Sequence, residues 1–228
     1  SVAVPSWRHW DVRNEEDLVE DFVRSHGLNR VRLALPPLDY ETAEPNESEI
    51  ILSRVEPALR GNGFVEVITR GTYSADDAAL IKEFNPRLAA GHITVKNALE
   101  RNFSHMKISN ILHLCRVAET NLRRGLPGVK IYEFGRLFSS KRGDGQAYDY
   151  ERDTLTLAAS GRWCEHEFRK PESLEEALAL FKGALEAVFQ SFGCEMEVRP
   201  GENPLLHPGA QAQVGTGRIT CGFFGVVH

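Results

Sequence analysis

Cysteine is scarce and scattered in this 228-residue sequence, and its placement argues against two kinds of site. No two cysteines form a C-x-x-C pair, and none belongs to a Cys/His cluster with the ligand spacing of a zinc site. The pattern is typical of reduced thiols in the core of a cytoplasmic protein. The four positions are Cys115, Cys164, Cys194 and Cys221.

Long apolar runs and a strong excess of one charge are also missing. No run approaches the length of a membrane-spanning helix and no signal peptide opens the chain, so we expect no membrane partner. A formal net charge of −5 provides no broad basic surface for gripping nucleic acid. Any RNA contact is therefore expected to be local or to be made by a partner protein.

The motifs of several common active sites are absent as well. The sequence contains no G-x-x-x-x-G-K-[ST] phosphate loop, no H-E-x-x-H zinc motif and no G-x-S-x-G nucleophile turn. The G-x-G in GTGRITCG (residues 215–222) leads into a strand-like run. A dinucleotide site needs its glycines between a strand and a helix, so we do not expect one here.

Hydrophobic periodicity predicts an α+β fold in which an antiparallel sheet is flanked by helices. Regular βαβ alternation is absent, which argues against a doubly wound parallel sheet. Helices are predicted over residues 15–26, 48–61, 76–84, 108–125 and 171–193. Strands are predicted over residues 2–8, 64–71, 92–96, 129–138, 153–161, 194–199, 210–214 and 218–227.

Proline and polar residues mark a boundary in the first quarter of the chain. The stretch LALPPLDYETAEPNES contains three prolines and is typical of a connecting segment. We interpret residues 35–47 as a linker between a small first piece, residues 1–34, and a larger module, residues 48–228. Both ends of the chain fall in strand-like runs, so the sequence is expected to be an internal piece of a longer protein.

The segment WDVRNEEDLVEDF (residues 10–22) is unusually rich in carboxylates. From Glu15 onward it is predicted to be a helix, because apolar residues recur at helical spacing. Asn14 is the predicted N-cap, with Asp17 as its capping-box partner. Acidic side chains in the first turn also interact favourably with the helix dipole.

Four of these carboxylates go beyond what a helix terminus requires. Asp17, Glu20 and Asp21 share one helix face at positions i, i+3 and i+4, and Asp11 lies just upstream. Four hard oxygen donors suit a hard cation such as magnesium, whereas the alternative is an ordinary solvated helix face. Without a counter-charge, repulsion between like charges is expected to raise the pKa of at least one carboxyl.

A series of motifs in collinear order resembles the beta subunit of bacterial phenylalanine–tRNA ligase. The motifs are VPSWR, the acidic helix ending at Gly27, GNGFVEVITRGTYS, VKIYEFGRLF, NPLLHPGAQAQV and CGFFGVVH, and together they span essentially the whole chain. The resemblance implies that residues 1–34 are the C-terminal part of a small winged-helix-like domain. It also implies that residues 48–228 form a class II aminoacyl-tRNA synthetase-like module, truncated at its C-terminus.

In that family the beta subunit pairs with a catalytic alpha subunit in a cytoplasmic α2β2 heterotetramer, which binds ATP and charges tRNA-Phe with phenylalanine. The resemblance implies a non-catalytic structural role for this chain, with little or no tRNA contact of its own. Glu133 and Arg136 occupy the motif 2 position, but the signals that bind ATP in active class II enzymes are missing after them. Motif 3 is not found, so no catalytic or cofactor-binding residue is assigned and the chain alone is expected to be inactive.

The resemblance also implies a function for the acidic segment. The family's ligands to a magnesium ion shared with the alpha subunit fall, at the same offsets, on Asp11, Asp17, Glu20 and Asp21. The last position is usually glutamate, and aspartate reaches one methylene less far. Without the alpha subunit we expect this site to hold magnesium weakly or not at all.

The resemblance further implies that helix 48–61 and strand 64–71 correspond to motif 1, the element that pairs subunits in class II folds. The stripe of Ile51, Val55 and Leu59 on the helix is therefore expected to be partly exposed, or to be buried in a homodimer formed through this helix.

Two other interpretations remain open. The chain could be a free-standing class II synthetase-like paralogue that binds a small molecule outside translation. It could also be an independent enzyme with a metal-assisted site on the acidic helix, although only His9 and His26 lie near Asp17 as candidate bases.

Overall fold

The structure is a computed structural model that describes residues 2–35, 37, 44–98, 100–141, 150–163 and 173–227. The chain divides into two compact units, Ser1–Glu44 and Pro45–His228. Residues 36 and 38–43 of the predicted linker lie outside the described residues. The winged-helix-like origin of residues 1–34 stays a prediction.

The first unit is built around helix α1 (Glu15–His26), which follows a 3-10 turn at Ser6–Arg8 and precedes another at Leu28–Arg30. Helix α1 has its predicted limits and ends at Gly27, whose φ of 100° lies in a region that favours glycine. The strand predicted over residues 2–8 is wrong. The backbone turns after Pro5 instead, and the Arg8 N–H donates to the Pro5 carbonyl at 2.9 Å.

Three helices of the second unit begin at capping boxes that are visible in the sequence. Asn46 and Glu49 exchange hydrogen bonds at the start of α2, and Ser173 and Glu176 do so at the start of α6. Ser74 begins α3 in the same way. The helices are α2 (Glu47–Gly61), α3 (Ala75–Phe84), α4 (Pro86–Ala89), α5 (Ile111–Arg123) and α6 (Leu174–Ser191).

Among the residues that the structure describes, the strands of the second unit form three small sheets with the orders β1-β4-β5, β2-β3 and β6-β7-β8. The long hairpin of β4 and β5 is antiparallel over its full length, whereas β1 runs parallel to β4. The strands are β1 (Val65–Glu66), β2 (Thr72–Tyr73), β3 (His105–Met106), β4 (Gly128–Phe138), β5 (Glu151–Gly161), β6 (Glu197–Arg199), β7 (Leu206–Thr216) and β8 (Ile219–Val227). The predicted α+β class with antiparallel pairing is confirmed.

Two predicted strands are much shorter than expected. The strand over residues 64–71 keeps only β1, because the N–H of Thr69 donates to the side chain of Glu133 rather than to a ladder partner. The strand over residues 92–96 is reduced to a single bridge between Thr94 and His105.

Helices α2 and α6 cover one face of the β4–β5 hairpin, and α5 covers the other. On the first face Tyr132 packs with Val55 and Leu59 of α2 and with residues of α6. On the second, Val129 and Ile131 pack against α5. This alternation follows from the two-residue period of side chains along a strand.

The predicted exposure of the α2 stripe holds for only one of its three residues. Val55 and Leu59 are 2% and 0% exposed and belong to the chain's own core, whereas Ile51 is 37% exposed. Burying each of the first two side chains contributes about 1.5–3 kcal/mol to folding. Two residues of the stripe, Val55 and Leu59, therefore belong to the core of this chain, and Ile51 is the one that is exposed to solvent.

The cysteines and the helices bear on two further expectations. Cys115 and Cys194 are partly buried free thiols, but Cys221 is exposed, so the expectation of a core thiol is wrong there. Cys164 lies outside the described residues.

Within the ranges that the structure describes, no helix is both long enough and apolar enough to cross a membrane.

Candidate functional site

Arg8 lies between two of the four predicted magnesium ligands. Its guanidinium donates to Asp11 at 2.5 Å and to Asp21 at 2.5 Å. Asp11 follows the first 3-10 turn and Asp21 lies on α1, so this one arginine ties the start of the unit to the middle of its helix. The positive charge that lies between these two carboxylates is therefore the guanidinium of Arg8.

The other two carboxylates are engaged elsewhere. One Asp17 oxygen accepts hydrogen bonds from the N–H groups of Arg13 and Asn14, at 2.7 and 2.9 Å, which fixes the start of α1 as predicted. Glu20 pairs with Arg24 one turn along the helix, at 3.2 Å. The structure therefore brings Asp11 and Asp21 together, while Asp17 and Glu20 have separate local partners.

Two of these carboxyls have lowered pKa values. The hydrogen bond from Arg8 lowers the pKa of Asp21, and the backbone N–H groups of Arg13 and Asn14 lower that of Asp17. Asp21 and Asp11 in turn raise the pKa of Arg8. The expectation of a raised pKa is wrong for Asp17 and Asp21, because Arg8 and the backbone supply the positive partners that the expectation left out.

As they lie, the four carboxylates do not fit magnesium. The ion demands octahedral oxygen ligands at about 2.0–2.1 Å, and Arg8 occupies the space between Asp11 and Asp21. Among the residues that the structure describes, no group of three or more His, Cys, Asp or Glu side chains is placed to hold a metal. The magnesium assignment stays a prediction that requires Arg8 to release at least one carboxylate.

A buried ion pair lies in the second unit, on the face of the hairpin that α5 covers. Lys107 Nζ lies 2.8 Å from Glu133 Oε1, and the two side chains are only 2% and 4% exposed. Thr69 donates its hydroxyl to Glu133 Oε2 at 2.8 Å and its N–H to Oε1 at 3.1 Å. Glu133, one of the two motif 2 residues, is thus paired with donors from its own chain.

Arg136 lies on the opposite side of β4. Residues three apart on a strand point to opposite faces, and Arg136 pairs with Glu151 and Asp153 of β5 at 2.8 and 3.0 Å. The structure does not bring the two motif 2 residues into one site.

An open cleft of about 450 Å³ lies beside this ion pair, between the segment 68–74, the 3-10 turn Arg101–Phe103 and α5. Arg70 and Arg116 both line it. The guanidinium carbon of Arg70 lies over the ring of Phe103, 4.2 Å from its centroid. The exposed side chain of Ile68 adds apolar surface.

Asp77 holds the second arginine of the cleft. Asp77 is 3% exposed, and its carboxylate accepts two hydrogen bonds from Arg116, one of them at 2.9 Å. Burial alone would raise the pKa of Asp77, but the hydrogen bonds from Arg116 and Ser74 outweigh it and lower the pKa. The guanidinium is therefore held in one orientation at the cleft wall.

His113 also lines the cleft and is less exposed than Arg116. Its Nδ1 is 3.2 Å from the Thr69 hydroxyl, and its ring meets the edge of Tyr73 with centroids 5.1 Å apart. Burial and then the charge of Lys107 lower its pKa. Thr69 and His113 are 44 residues apart, so no local pattern in the sequence pairs them.

Apart from Glu133, which the sequence places at motif 2, these polar residues of the second unit were missed by sequence reasoning. Lys107 and Glu133 are 26 residues apart, and Asp77 and Arg116 are 39 apart. A usable signal was the lysine in HMKIS, a charged residue just before the apolar stripe of α5.

The chain is similar to one family of known proteins. Residues 33–228 match the model of a family described as the phenylalanyl tRNA synthetase beta chain CLM domain. Full-length matches include beta subunits of phenylalanine–tRNA ligase from Halalkalibacterium halodurans, 29% identical over 229 residues, and Photorhabdus laumondii, 30% identical over 229 residues. All of this chain is covered, but it spans only 28% of the length of these relatives.

Solved structures support the fold independently. A pyrrolysyl tRNA synthetase from Desulfitobacterium hafniense superposes with a TM-score of 0.59 over 90% of this chain and 62% of its own, at 17% sequence identity. A second structure of the enzyme gives 0.55 at 16% identity. At such low identity the likeness establishes the class II synthetase fold and nothing about activity.

Proposed function

Since the chain belongs to the family of the phenylalanyl tRNA synthetase beta chain CLM domain, we propose that it is a non-catalytic structural part of a phenylalanine–tRNA ligase. In this proposal it packs against the catalytic alpha subunit of a cytoplasmic α2β2 enzyme. The holoenzyme binds ATP and tRNA-Phe, and this segment makes little or no RNA contact. The observation that carries the proposal is the match over the whole chain to beta subunits of that ligase.

The side chains at the motif 2 position support a structural role. A class II active site stabilises developing charge with arginines that are free to reach the ligand. Here Glu133 is paired with Lys107 inside the protein, and Arg136 is paired with Glu151 and Asp153 on the other face. We accordingly propose that the chain alone neither activates phenylalanine nor binds ATP, which a pyrophosphate-exchange assay against a buffer control would test.

The proposed contact with the alpha subunit uses the exposed apolar residues around α2 and β1. Ile50 and Ile51 are 41% and 37% exposed, and Val65 is 64% exposed. We propose that they belong to one apolar surface, which is typical of an interaction site. The same surface would serve a homodimer through helix 48–61 when the alpha subunit is absent.

Magnesium belongs to this proposal as a ligand of the assembled enzyme. Asp11, Asp17, Glu20 and Asp21 would supply oxygen donors once Arg8 has turned away from Asp11 and Asp21. Titration of magnesium into the alpha–beta complex should then show tighter binding for Arg8→Met than for the unaltered protein. Asp17→Ala should weaken subunit association and make it insensitive to magnesium.

Co-expression with the phenylalanine–tRNA ligase alpha subunit of the same organism tests the proposal directly. We expect one complex in size-exclusion chromatography with light scattering, and we expect Ile50→Glu and Ile51→Glu to weaken it. Leu180→Glu, on the partly exposed side of α6, is the matched control and should leave the complex intact. A chain that stays separate from the alpha subunit under all of these conditions would contradict the proposal.

The alternative is a free-standing class II synthetase-like paralogue that binds a small molecule outside translation. The cleft beside Lys107 and Glu133 is the observation that favours it. A chain that binds a small ligand yet never associates with the alpha subunit would support it. The acidic-helix enzyme is less favoured, because His26 stacks on Phe22 with centroids 5.7 Å apart.

A further inference from the structure

We propose that the cleft of the second unit binds a small ligand that combines an anionic group, carboxylate or phosphate, with a compact apolar body. This binding site goes beyond the structural function proposed above and does not depend on it. The argument rests on two immobilised arginines, on the apolar surface between them and on the size of the cleft.

The first arginine is held by a buried carboxylate. Asp77 is 3% exposed and accepts two hydrogen bonds from Arg116, whose own side chain is 52% exposed. Five N–H groups radiate from a guanidinium, so two bonds to Asp77 leave others for a ligand. Because its orientation is fixed in advance, Arg116 loses little conformational entropy when it binds an anion.

The second arginine is held by an aromatic ring. The Arg70 guanidinium lies 4.2 Å from the centroid of Phe103, a cation–π contact that leaves the in-plane N–H groups available. No carboxylate is paired with Arg70 among the described residues. The two arginines outnumber Asp77 among the charged groups that line the cleft, so the wall carries a net positive charge.

The apolar residues that line the rest of the cleft indicate the second part of the ligand, its apolar body. Ile68 and Val117 present apolar surface beside the arginines, and Phe103 also lines the cleft. The volume of about 450 Å³ is several times what a bare anion requires and falls in the range of small-molecule sites. The chemistry therefore fits an aryl or alkyl carboxylate or a phosphate monoester of similar size better than a free inorganic ion.

His113 adds a polar contact in the cleft. Its Nδ1 is bound to the Thr69 hydroxyl, which leaves Nε2 as the nitrogen that can meet a ligand. We assign it a positioning function only.

Binding to the whole 228-residue chain can be measured by NMR and by calorimetry with four probes. 3-Phenylpropionate and phenyl phosphate carry both parts of the predicted ligand, 3-phenylpropanol lacks the charge, and inorganic phosphate lacks the body. We expect saturable binding of one or both complete probes, with amide shifts confined to residues 68–77 and 102–117. We expect at least about tenfold weaker binding of 3-phenylpropanol, as for loss of a charge-assisted hydrogen bond. Inorganic phosphate should also bind at least about tenfold more weakly, because it buries no apolar surface.

Arg70→Met is the decisive variant, since Arg70 is exposed and its loss leaves no buried charge. It should weaken the best complete probe about tenfold, whereas Arg123→Met, an exposed arginine further along α5, should leave binding unchanged. Arg116→Gln combined with Asp77→Asn removes the guanidinium of Arg116 without leaving the buried carboxylate of Asp77 unpaired, and should weaken binding to a similar degree.

The proposal is overturned if neither complete probe binds saturably, if 3-phenylpropanol binds as tightly as 3-phenylpropionate, or if Arg70→Met binds like the unaltered chain. None of these outcomes bears on association with the alpha subunit, so the two proposals fail separately.

Discussion

Lys107→Met should be the most destabilising conservative substitution in the second unit. The methionine keeps most of the length and apolar volume of the lysine stem but removes the ammonium that lies 2.8 Å from Glu133. Both side chains are almost completely buried, at 2% and 4% exposed. Breaking such a pair from one side typically costs about 3–5 kcal/mol, because the remaining charge is left without compensation.

The expected loss in the free energy of unfolding depends on the groups that still contact Glu133 in the variant. Thr69 still donates its N–H and hydroxyl to the carboxylate, so its hydrogen bonds survive but its counter-charge does not. Adding Glu133→Gln removes the stranded charge while keeping an oxygen for Thr69. The double variant should therefore be more stable than Lys107→Met alone, with a coupling free energy of at least about 1 kcal/mol in the double-mutant cycle.

Urea unfolding followed by tryptophan fluorescence is the appropriate assay. Trp163 packs at the edge of the Phe64 ring in the second unit, so Trp7→Phe and Trp10→Phe in all variants make it the only reporter. Lys182→Met removes an exposed pair with Glu186 on α6 and should cost about 0.5 kcal/mol or less. A loss below about 1 kcal/mol for Lys107→Met, or no coupling in the cycle, would refute the reasoning.

Three further predictions concern charge and backbone. Arg8 lowers the pKa of Asp21, so the stability that this pair gives the first unit is present above the unfolded pKa of 3.8 and is lost as the pH falls through the folded pKa. Arg8→Met should therefore flatten the acid titration of α1 followed by circular dichroism. An unchanged titration would contradict this. Burial lowers the pKa values of His92 and His113 below 6.5, so the second unit should lose stability as the pH falls below about 6.5. His113→Phe should reduce that loss of stability in urea titrations at several pH values. An equal loss in the variant would show that His113 is not responsible. Gly183→Ala, on an exposed turn of α6 with nothing within 4 Å of the new Cβ, should raise the free energy of unfolding by about 0.5–1 kcal/mol, and a decrease would show that the helix needs the glycine.

The helices show how much of the fold local sequence can specify. Asn14, Asn46 and Ser173 each accompany an acidic residue three positions later, and each precedes a helix in the structure. Gly27 ends α1 at a positive φ that other residues rarely adopt. These signals act within a few residues of each other, so the sequence alone carried them.

The candidate sites were less predictable, because their partners are far apart in the sequence. The four acidic residues stay a predicted group, and spacing could not show that Arg8 would occupy the space between Asp11 and Asp21. The cleft was not predicted at all. Its arginines acquire fixed positions only from Asp77 and Phe103, which the fold brings to them.

The sequence by itself determined the α+β class, the main helices, the long hairpin of β4 and β5, and membership of the family, since each depends on periodicity, capping or the order of motifs along the chain. Only the tertiary structure decided which charges meet. Lys107 reaches Glu133 because its backbone lies beside β4, where its carbonyl accepts a hydrogen bond from the N–H of Phe138 at 2.8 Å. The strand predicted after Phe64 stops at Glu66 because Thr69 turns toward the same carboxylate. Ion pairs between distant residues depend on distances in space, and no local pattern of residues encodes those distances.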